Sequence, residues 1–471
     1  MKILMAASEI DPFAEGPIGR DVTQLAGALR RLGHEVDCVT PLSRRVREAS
    51  SAKRTRIKFE IPLGMARHSC EVWEAKAKEG GSVYFTRRDE FFDRSGLYGN
   101  ESGDYQDNAA RFTFFAKAAA ELARRLETPP DLVHVHGWHA ALVPVFLRDT
   151  GAAIRSVLSP HGLNFQGNFW STDFGLTNLP GSYFSAAGLE FYGSMNFLKG
   201  GLLFADAIVV PGELFAAAAK TSSHGCGLEN VLREQAAKIR GIPDPAILHG
   251  WDPSNDTTLP VAYSAVHPAG RSVSRKAFAE VRRWESDSPS AVFLTDACED
   301  FALLETGLDR LLQRGFNIIM FGSTDPGMRR AVELATRTHP GRFEHHETCS
   351  DADARAALSA CDLFLLPGPA SPTSPWLPRA LRYGCAPLAF QCDGLPQLAL
   401  PYRDGTGNAF LFRILSTDAL SDAARAAREA IESGGRDALA RANMGIDLSP
   451  AAAAAAHLEL YAGLTGKPLS S

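Results

Sequence analysis

The chain has 471 residues, of which 45% are hydrophobic and 22% charged, and its formal net charge is −5. A chain of this length is expected to form two domains with sizeable cores. The slightly acidic balance argues against a nucleic-acid partner, and no apolar run approaches the roughly 18 residues that cross a membrane. The N-terminal MKILMAASEI lacks a signal-peptide cleavage site, so we expect a cytoplasmic protein.

Apolar runs alternate with helical patterns from the first residues onward. The run KILMAA is typical of a buried strand, and apolar residues at helical spacing follow it, ending at Leu32 before Gly33. Later strand-like runs are DLVHVHGW, IRSVLSPHG and ADAIVVPG. This alternation predicts a parallel, doubly wound α/β sheet.

The alternation pauses at residues 241–260, which are rich in Gly, Pro, Asp and Asn. It resumes with SAVFLTDA, FNIIMFGS, CDLFLLPG and APLAFQC, which predict a second sheet of the same type. We therefore predict an N-terminal Rossmann-like domain over 1–243 and a C-terminal Rossmann-like domain over 244–449. A closing helix is predicted over 450–471, with Ser449 as its N-cap.

The loop SEIDPFAEGPIGRDV, residues 8–22, follows the first strand and precedes the first helix. Ligands of doubly wound sheets bind outside the carboxyl ends of the strands. A glycine-bearing loop at such a place usually holds a phosphate on its backbone amides. Its central polar side chain is nevertheless that of Glu15, an acid where an anion site needs a base.

Histidines and cysteines give no strong indication of a metal. Eight cysteines show no C-x-x-C spacing, which is typical of a reducing compartment without a zinc ribbon. His134, His136 and His139 lie close together in HVHGWH, but no carboxylate or cysteine cluster accompanies them. We interpret this stretch as a strand end at the lip of a cleft and predict neither a metal nor a cofactor.

Many stretches, in order, resemble the bacterial glycogen synthases and plant starch synthases. SEIDPF is similar to the family's opening Ser-Glu-x-x-Pro, and PHGLNFQGNF to its His-Asn-x-x-Tyr-Gln-Gly loop. The other matching stretches are FFDRSGLYGNESGDYQDNAARFTFFAKAA, VHVHGWHAALVPV, HGCGLENVLRE, ILHGWDPSND, FGSTDP, ALRYGCAPL and DGLPQL. The resemblance implies a GT-B fold, in which two doubly wound domains face a cleft and the closing helix packs back on the first domain. It also implies glucose transfer from ADP-glucose to an α-1,4-glucan or maltooligosaccharide, with retention.

The resemblance assigns roles to particular residues. His161 matches the family's sugar-contacting histidine, and Asp21 matches a loop aspartate that accepts a sugar hydroxyl. Structural roles are the alternatives: a histidine that braces its loop, and a first-turn carboxylate favoured by the helix dipole. The positions that would meet the donor's sugar and phosphates are Glu15, Gly16, Gly19, Arg20, Gly322 and Gly394. Trp138 and Tyr98 either stack on glucose rings or pack in the core.

The residues that neutralise the leaving diphosphate in the family have no match here. Aligned without a gap, the family's loop Lys becomes Glu15. The Arg and Lys of Arg-x-x-x-x-Lys-Gly become Leu294 and Glu299, and the Glu of Glu-Pro-x-Gly becomes Ser371. Losing one transition-state donor typically costs about 10²–10³ in rate, so weak or absent synthase activity is expected.

Three hypotheses about function follow. The first is a glycogen synthase-like transferase with weak activity. The second is a catalytically inactive homologue that binds a glucan or a partner enzyme as a scaffold or regulator, which the lost cations favour. The third is a transferase with a changed donor, for which new basic groups would be expected and are not seen in LTDACEDFALLETG or PGPASPTSP.

Overall fold

In the computed structural model, which describes residues 1–13 and 16–468, the chain divides into two α/β units. Unit 1 comprises Met1–Ala246 and Ser449–Ser471, and unit 2 comprises Ile247–Leu448. No helix in the described ranges combines the length and the apolar character that a membrane crossing requires. Each of the eight cysteines is free.

Unit 1 is built on one large sheet. Its strands are β1 (Lys2–Ala7), β2 (Glu35–Pro41), β3 (Lys53–Leu63), β4 (Ala66–Lys76), β5 (Ser82–Arg87), β6 (Gly99–Asn100), β7 (Gly103–Asp104), β8 (Leu132–His136), β9 (Arg155–Ser159), β10 (Asn168–Trp170), β11 (Glu190–Phe191), β12 (Ser194–Asn196), β13 (Ala207–Pro211) and β14 (Ile239–Ile242). Over the described residues, the order in the main sheet is β14-β13-β9-β8-β1-β2-β5-β4-β3. The strands from β14 to β5 are parallel. The sequence did not predict the antiparallel hairpin of β3 and β4, which extends the sheet beyond β5.

The helices of unit 1 cover both faces of this sheet. They are α1 (Pro17–Arg31), α2 (Arg44–Ala49), α3 (Asp89–Phe92), α4 (Asn108–Arg125), α5 (Val143–Asp149), α6 (Phe197–Phe204), α7 (Gly212–Ala218) and α8 (Glu229–Glu234). In β1 the side chains alternate between two cores. Leu4 packs in the core that contains Phe112 of α4, whereas Met5 packs in the core that contains Leu25 of α1. Because helices cover both faces of a parallel strand, its sequence is a continuous apolar run, as in KILMAA.

The start of α1 corrects the predicted loop 8–22. The helix begins at Pro17, so Gly19, Arg20 and Asp21 lie on α1 rather than in a loop. Proline favours the first helical position because its φ is already helical and its missing N–H has no partner there in any case. The prediction that Leu32 belongs to the apolar face of this helix was also wrong, because Leu32 follows the last helical residue and is 43% exposed.

Unit 2 contains a smaller, wholly parallel sheet. Its strands are β15 (Ser290–Leu294), β16 (Asn317–Phe321), β17 (Phe343–His346), β18 (Leu363–Leu366), β19 (Ala386–Phe390) and β20 (Phe410–Phe412), in the order β17-β16-β15-β18-β19-β20. Its helices are α9 (Ala269–Arg282), α10 (Leu303–Gln313), α11 (Pro326–Thr338), α12 (Asp351–Ala360), α13 (Trp376–Arg382), α14 (Thr417–Ala430) and α15 (Arg436–Met444). The four predicted strands are confirmed as β15, β16, β18 and β19. The edge strands β17 and β20 were missed because four and three residues carry too little pattern.

The last helix, α16 (Pro450–Thr465), belongs to unit 1 and packs against α1. Ser449 caps it as predicted, because its hydroxyl accepts a hydrogen bond from the Ala452 N–H at 3.1 Å. Tyr461 lies in the same core as Leu25 of α1. The chain therefore crosses into unit 2 and returns to complete unit 1.

Candidate functional site

A buried carboxylate lies beneath the loop that follows β1. Glu9 is 6% exposed, and its Oε1 accepts a hydrogen bond from the Tyr98 hydroxyl. A Cβ atom at Gly16 would overlap Glu9 Oε2, so the carboxylate lies directly against the start of α1. Burial raises the pKa of Glu9, although hydrogen bonds from Tyr98 and from the Gly19 backbone oppose this rise.

This contact makes the start of α1 a less favourable site for an anion. Pro17, the first helical residue, has no N–H to offer, and the Gly19 N–H already faces Glu9. A carboxylate of the chain itself thus interacts with the helix N-terminus that was predicted to hold a phosphate. Arg20 is exposed on α1. Glu15 lies outside the described residues.

His161 is at the centre of the polar cluster in unit 1. It follows β9 with a left-handed backbone at φ 59°, and its side chain is 12% exposed. Its Nε2 lies 3.0 Å from His136 Nδ1, and its Nδ1 lies 3.5 Å from Asp21 Oδ2. Burial lowers the pKa of His161, but the hydrogen bond to Asp21 and the nearby acids outweigh it and raise that pKa overall.

Asp244 joins this cluster, and the sequence did not single it out. It follows β14 and, with Asp21 and His161, lines a narrow pocket at the carboxyl ends of the strands. Burial and the charge of Asp21 raise the pKa of Asp244 to about 7, although His161 lowers it. Asp244 was not singled out because residues 241–260 mark the boundary between the two predicted domains. Its position directly after a strand-like Ile-Arg-Gly-Ile was the available signal.

The three histidines of HVHGWH have different partners. His134 lies 2.7 Å from the Tyr461 hydroxyl and 2.9 Å from the Ser159 hydroxyl. His136 contacts His161, whereas the ring of His139 stacks on that of Tyr98. Burial lowers the pKa of each imidazole well below its ordinary value. The three imidazoles thus have different hydrogen-bond and stacking partners, although the rings of His134 and His136 lie 4.1 Å apart, centroid to centroid.

The two aromatic candidates lie against other side chains. The Trp138 ring is 3.9 Å, centroid to centroid, from that of His139, and it contacts Phe112 edge-on. The Tyr98 hydroxyl bonds to Glu9 and to Ser8. Both rings pack against the core of unit 1, so packing accounts for each of them.

In unit 2, the loops after β15 and β18 are joined by backbone hydrogen bonds. The Glu299 N–H donates to the Pro369 carbonyl at 3.0 Å, and the Ser371 N–H donates to the Ala297 carbonyl at 2.8 Å. Leu294 is the last residue of β15 and is 2% exposed. Leu294, which matches the family's Arg, thus lies in the core. Glu299 and Ser371, which match its Lys and Glu, lie in loops that are hydrogen-bonded to each other.

The predicted glycine positions of unit 2 lie in turns. Gly322 follows β16 at φ 113°, and a Cβ atom there would overlap Thr295 Oγ1. Gly394 has φ 83° and precedes a short 3₁₀ turn over Leu395–Gln397. Both conformations favour glycine for steric reasons. Of the predicted sugar-contacting residues, the structure brings His161 and Asp21 together.

Comparison with a solved structure identifies the class of fold. The catalytic domain of starch synthase IV from Arabidopsis thaliana, bound to ADP and acarbose, superposes with a TM-score of 0.71 over 99% of both chains, at 21% identity. This similarity confirms the predicted GT-B fold of two parallel-sheet α/β units.

Sequence comparisons identify the family. A model of the starch synthase catalytic domain matches residues 2–234. The glycogen synthase of Syntrophotalea carbinolica is 30% identical over 98% of both chains. That of an Anaeromyxobacter species is 32% identical over 91% of this chain and 92% of its own. The chain belongs to the glycogen and starch synthase family, and the predicted resemblance is confirmed.

Proposed function

We propose that the chain transfers glucose from a nucleotide-glucose, ADP-glucose, to an α-1,4-glucan with retention, at a rate far below that of relatives with the full set of cations. Membership of the glycogen and starch synthase family supports the reaction class. The observation that carries the proposal is the polar cluster of Asp21, His161 and Asp244, which is partly buried at the carboxyl ends of the unit 1 strands.

The cluster has the chemistry that a glucosyl unit requires. A sugar ring presents hydroxyl groups, each of which donates one hydrogen bond and accepts others. Asp21 offers an acceptor, and the Nδ1–H of a protonated His161, which lies 3.5 Å from Asp21 Oδ2, offers a donor to a hydroxyl that enters between the two side chains. Both side chains are mostly shielded from water, where such bonds are stronger. The reaction requires no cofactor or metal, and no protein nucleophile is assigned.

The slow rate follows from the positions that meet the leaving diphosphate. Leu294 is buried in β15 and carries no charge, and Glu299 is an acid where the family has a Lys. Ser371 replaces a Glu that contacts the donor sugar in the family. Oxygen atoms that gain charge in the transition state need donors already in place, and each one lost costs roughly 10²–10³ in rate. Such losses need not be additive, but they act in the same direction.

A second function is favoured by the backbone pairing in unit 2. The Glu299–Pro369 and Ser371–Ala297 hydrogen bonds hold the loops after β15 and β18 against each other. A chain that retains the unit 1 cluster and lacks donor chemistry in unit 2 would bind a glucan without extending it. This is the inactive, glucan-binding or scaffolding homologue, which can also bind a partner protein.

Restoring two family residues distinguishes these functions. The double variant Glu15→Lys/Glu299→Lys should raise incorporation of labelled glucose from ADP-glucose into glycogen by about 10²-fold, because it supplies two cations for the diphosphate. Leu294 is left unchanged, since an arginine at a 2% exposed position would threaten folding. The matched control is Glu127→Lys/Glu347→Lys, which makes the same charge change at two exposed positions.

We expect slow incorporation by the unaltered chain, a strong increase in the double variant and no increase in the control. Absence of incorporation in both the unaltered chain and the double variant, together with intact oligosaccharide binding, would overturn the transferase proposal. That result would instead establish the second function.

A further inference from the structure

A groove between α10 and α14 of unit 2 is lined mainly by arginines. It has a volume of about 560 Å³ and is formed by Arg310, Gln313, Arg314, Ser421, Arg425, Arg428, Glu429 and Glu432. Arginine is the side chain best suited to bind phosphate, because its planar guanidinium offers paired N–H donors. We propose that this groove binds the phosphate group of a small anionic metabolite. The bound phosphate takes no part in the transfer reaction proposed above.

The groove lies away from the loops after β15 and β18. Helix α10 connects β15 to β16, which are neighbouring parallel strands. Such a crossover helix runs back from the carboxyl ends of the strands to their amino ends. Arg310 and Arg314, at the end of α10, therefore lie toward the amino ends of the strands. The positions that match the donor site follow the carboxyl ends, so the groove is a separate site.

Two of the four arginines are paired with carboxylates of α14 and of the turn that follows it. Arg425 Nη1 lies 3.0 Å from Glu429 Oε1, and Arg425 Nε lies 3.9 Å from Asp422 Oδ1. Arg428 Nε donates to Glu432 Oε1 at 2.7 Å. These ion pairs balance the charges that α14 brings to the groove.

The two arginines of α10 have no such balance. Arg314 Nε donates to the Ser421 hydroxyl at 2.9 Å, which is a neutral partner. In the part of the chain that the structure describes, no residue accepts a hydrogen bond from the exposed guanidinium of Arg310. The groove therefore carries about two uncompensated positive charges, which match the charge of a phosphate dianion.

Bonds within the protein already orient two of the guanidinium groups. Ser421, which holds Arg314 by its Nε, is 7% exposed and lies on the inner side of α14. Arg428 is held by Nε on Glu432 and by Nη1, which donates to the Arg314 carbonyl. Both Nη groups of Arg314 remain available as donors. A ligand that meets donors already in place loses less entropy on binding.

The helix dipole is the alternative explanation for cations near the end of α10. It favours a positive side chain in the last turn, and it accounts for one arginine. It does not account for Arg310 and Arg314 together, because like charges four residues apart on a helix repel each other. A third guanidinium adds to this repulsion: a Cβ atom at Gly315 would lie 2.5 Å from Arg428 Nη1 and 3.4 Å from Arg342 Nη1. A bound dianion relieves the repulsion.

The test is calorimetric titration of the full chain with inorganic phosphate, without ADP-glucose or glucan. The titration is made at pH 8, where phosphate is mostly a dianion, and at constant ionic strength, so that general screening does not change. We expect one phosphate per chain and at least about 10-fold weaker binding of acetate, which carries a single charge. Arg310→Gln and Arg314→Gln should each weaken phosphate binding by about 10-fold or more.

The matched control is Arg330→Gln, which removes the same charge from an exposed position on α11 of the same unit. It should bind phosphate like the unaltered chain. Hydrogen exchange measured by mass spectrometry locates the site, since phosphate should slow amide exchange in α10 and α14. Thermal melting confirms that each variant is folded.

Three outcomes would overturn the site: absence of saturable phosphate binding, binding that Arg310→Gln leaves unchanged, or acetate binding as tight as that of phosphate. If Arg314→Gln does not fold, Arg310→Gln alone decides, because Arg310 lies exposed at the surface. Since neither donor nor glucan is present, failure of the phosphate site leaves the proposed transfer reaction untouched. Failure of glucose incorporation likewise leaves the phosphate site untouched.

Discussion

At the scale of single residues, His161 combines backbone strain with a specific environment. A non-glycine residue at φ 59° costs on the order of 1–3 kcal/mol and persists where its surroundings fix it. His136 and Asp21 hold the two ring nitrogens from opposite sides. The strained conformation therefore keeps the imidazole in the pocket at the carboxyl ends of the strands.

Lys117 gives a pH prediction away from this cluster. Its Nζ donates hydrogen bonds to the Pro62 carbonyl at 2.6 Å and to Asn178 Oδ1 at 2.8 Å, and burial lowers its pKa to about 8. Between about pH 8 and 10.5 the unfolded chain holds more protons on this lysine than the folded chain. Lys117 therefore contributes an increase in the free energy of unfolding as pH rises across this window, of up to roughly 3 kcal/mol.

Urea unfolding at pH 8 and pH 10 tests this expectation. Lys117→Met should lose the rise that Lys117 contributes, whereas Lys58→Met, at an exposed position of β3, should keep it. Parallel pH profiles for the unaltered chain and Lys117→Met would show that the lysine remains charged when folded.

Gly16 tests the contact between Glu9 and the start of α1. Its φ of 168° is extended backbone that any residue adopts, so the effect of Gly16→Ala comes from the new methyl group. That group overlaps Glu9 Oε2, and we expect a loss of about 1–3 kcal/mol in the free energy of unfolding. Gly463→Ala in α16 is the control, since its methyl group meets no atom within 4 Å and should stabilise the helix slightly. Equal stability of Gly16→Ala and the unaltered chain would contradict the described position of Glu9.

At the scale of elements, α16 connects the end of the chain to the candidate site. Tyr461 contacts His134 of β8, and His457 lines the same pocket as His161. The helix is held at its start by Ser449. Weaker attachment of α16 should therefore also disturb the packing at the carboxyl ends of the strands.

Ser449→Ala measures this element directly. Loss of the cap should destabilise α16 by about 1 kcal/mol and speed amide exchange in that helix. Ser416→Ala is the matched control, because Ser416 caps α14 of unit 2 by the same bond, to the Ala419 N–H at 3.2 Å. Hydrogen exchange measured by mass spectrometry should show each effect in its own helix. Faster exchange in α14 on substitution of Ser449 would contradict the assignment.

Elements with strong periodicity could be predicted, and weaker ones could not. Buried parallel strands such as β1 and β15 carry continuous apolar runs, and the cap at Ser449 has an unambiguous pattern. The start of α1 was misplaced because Gly-Pro-Ile-Gly-Arg-Asp reads as a loop, although Pro17 suits the first helical position. Edge strands such as β20 are too short to detect.

Only part of the candidate site could be predicted, because some of its residues have no sequence pattern. His161 and Asp21 stand at positions that match a family motif, whereas Asp244 lies in a Gly- and Pro-rich stretch without a match. The contact of Glu9 with Gly16 depends on the fold of the loop and leaves no pattern in the sequence. Contacts that form only in the tertiary structure cannot be recognised from the sequence alone.

At the scale of the whole molecule, the fold and the chemistry of the site have separate requirements. Stability depends on apolar runs such as β1 and β15, which have kept their pattern in both units. Neutralising a diphosphate depends on a few side chains, and the positions that match the family's cations carry Glu15, Leu294 and Glu299. A chain can therefore keep the GT-B fold while these positions change.

The most direct test is calorimetric titration with a maltooligosaccharide and, separately, with ADP-glucose. We predict saturable oligosaccharide binding that His161→Ala abolishes and that His267→Ala, in unit 2, leaves unchanged. ADP-glucose should bind weakly, and Glu15→Lys/Glu299→Lys should tighten its binding. Micromolar ADP-glucose binding by the unaltered chain, or oligosaccharide binding that survives His161→Ala, would contradict a retained sugar site with impaired donor chemistry.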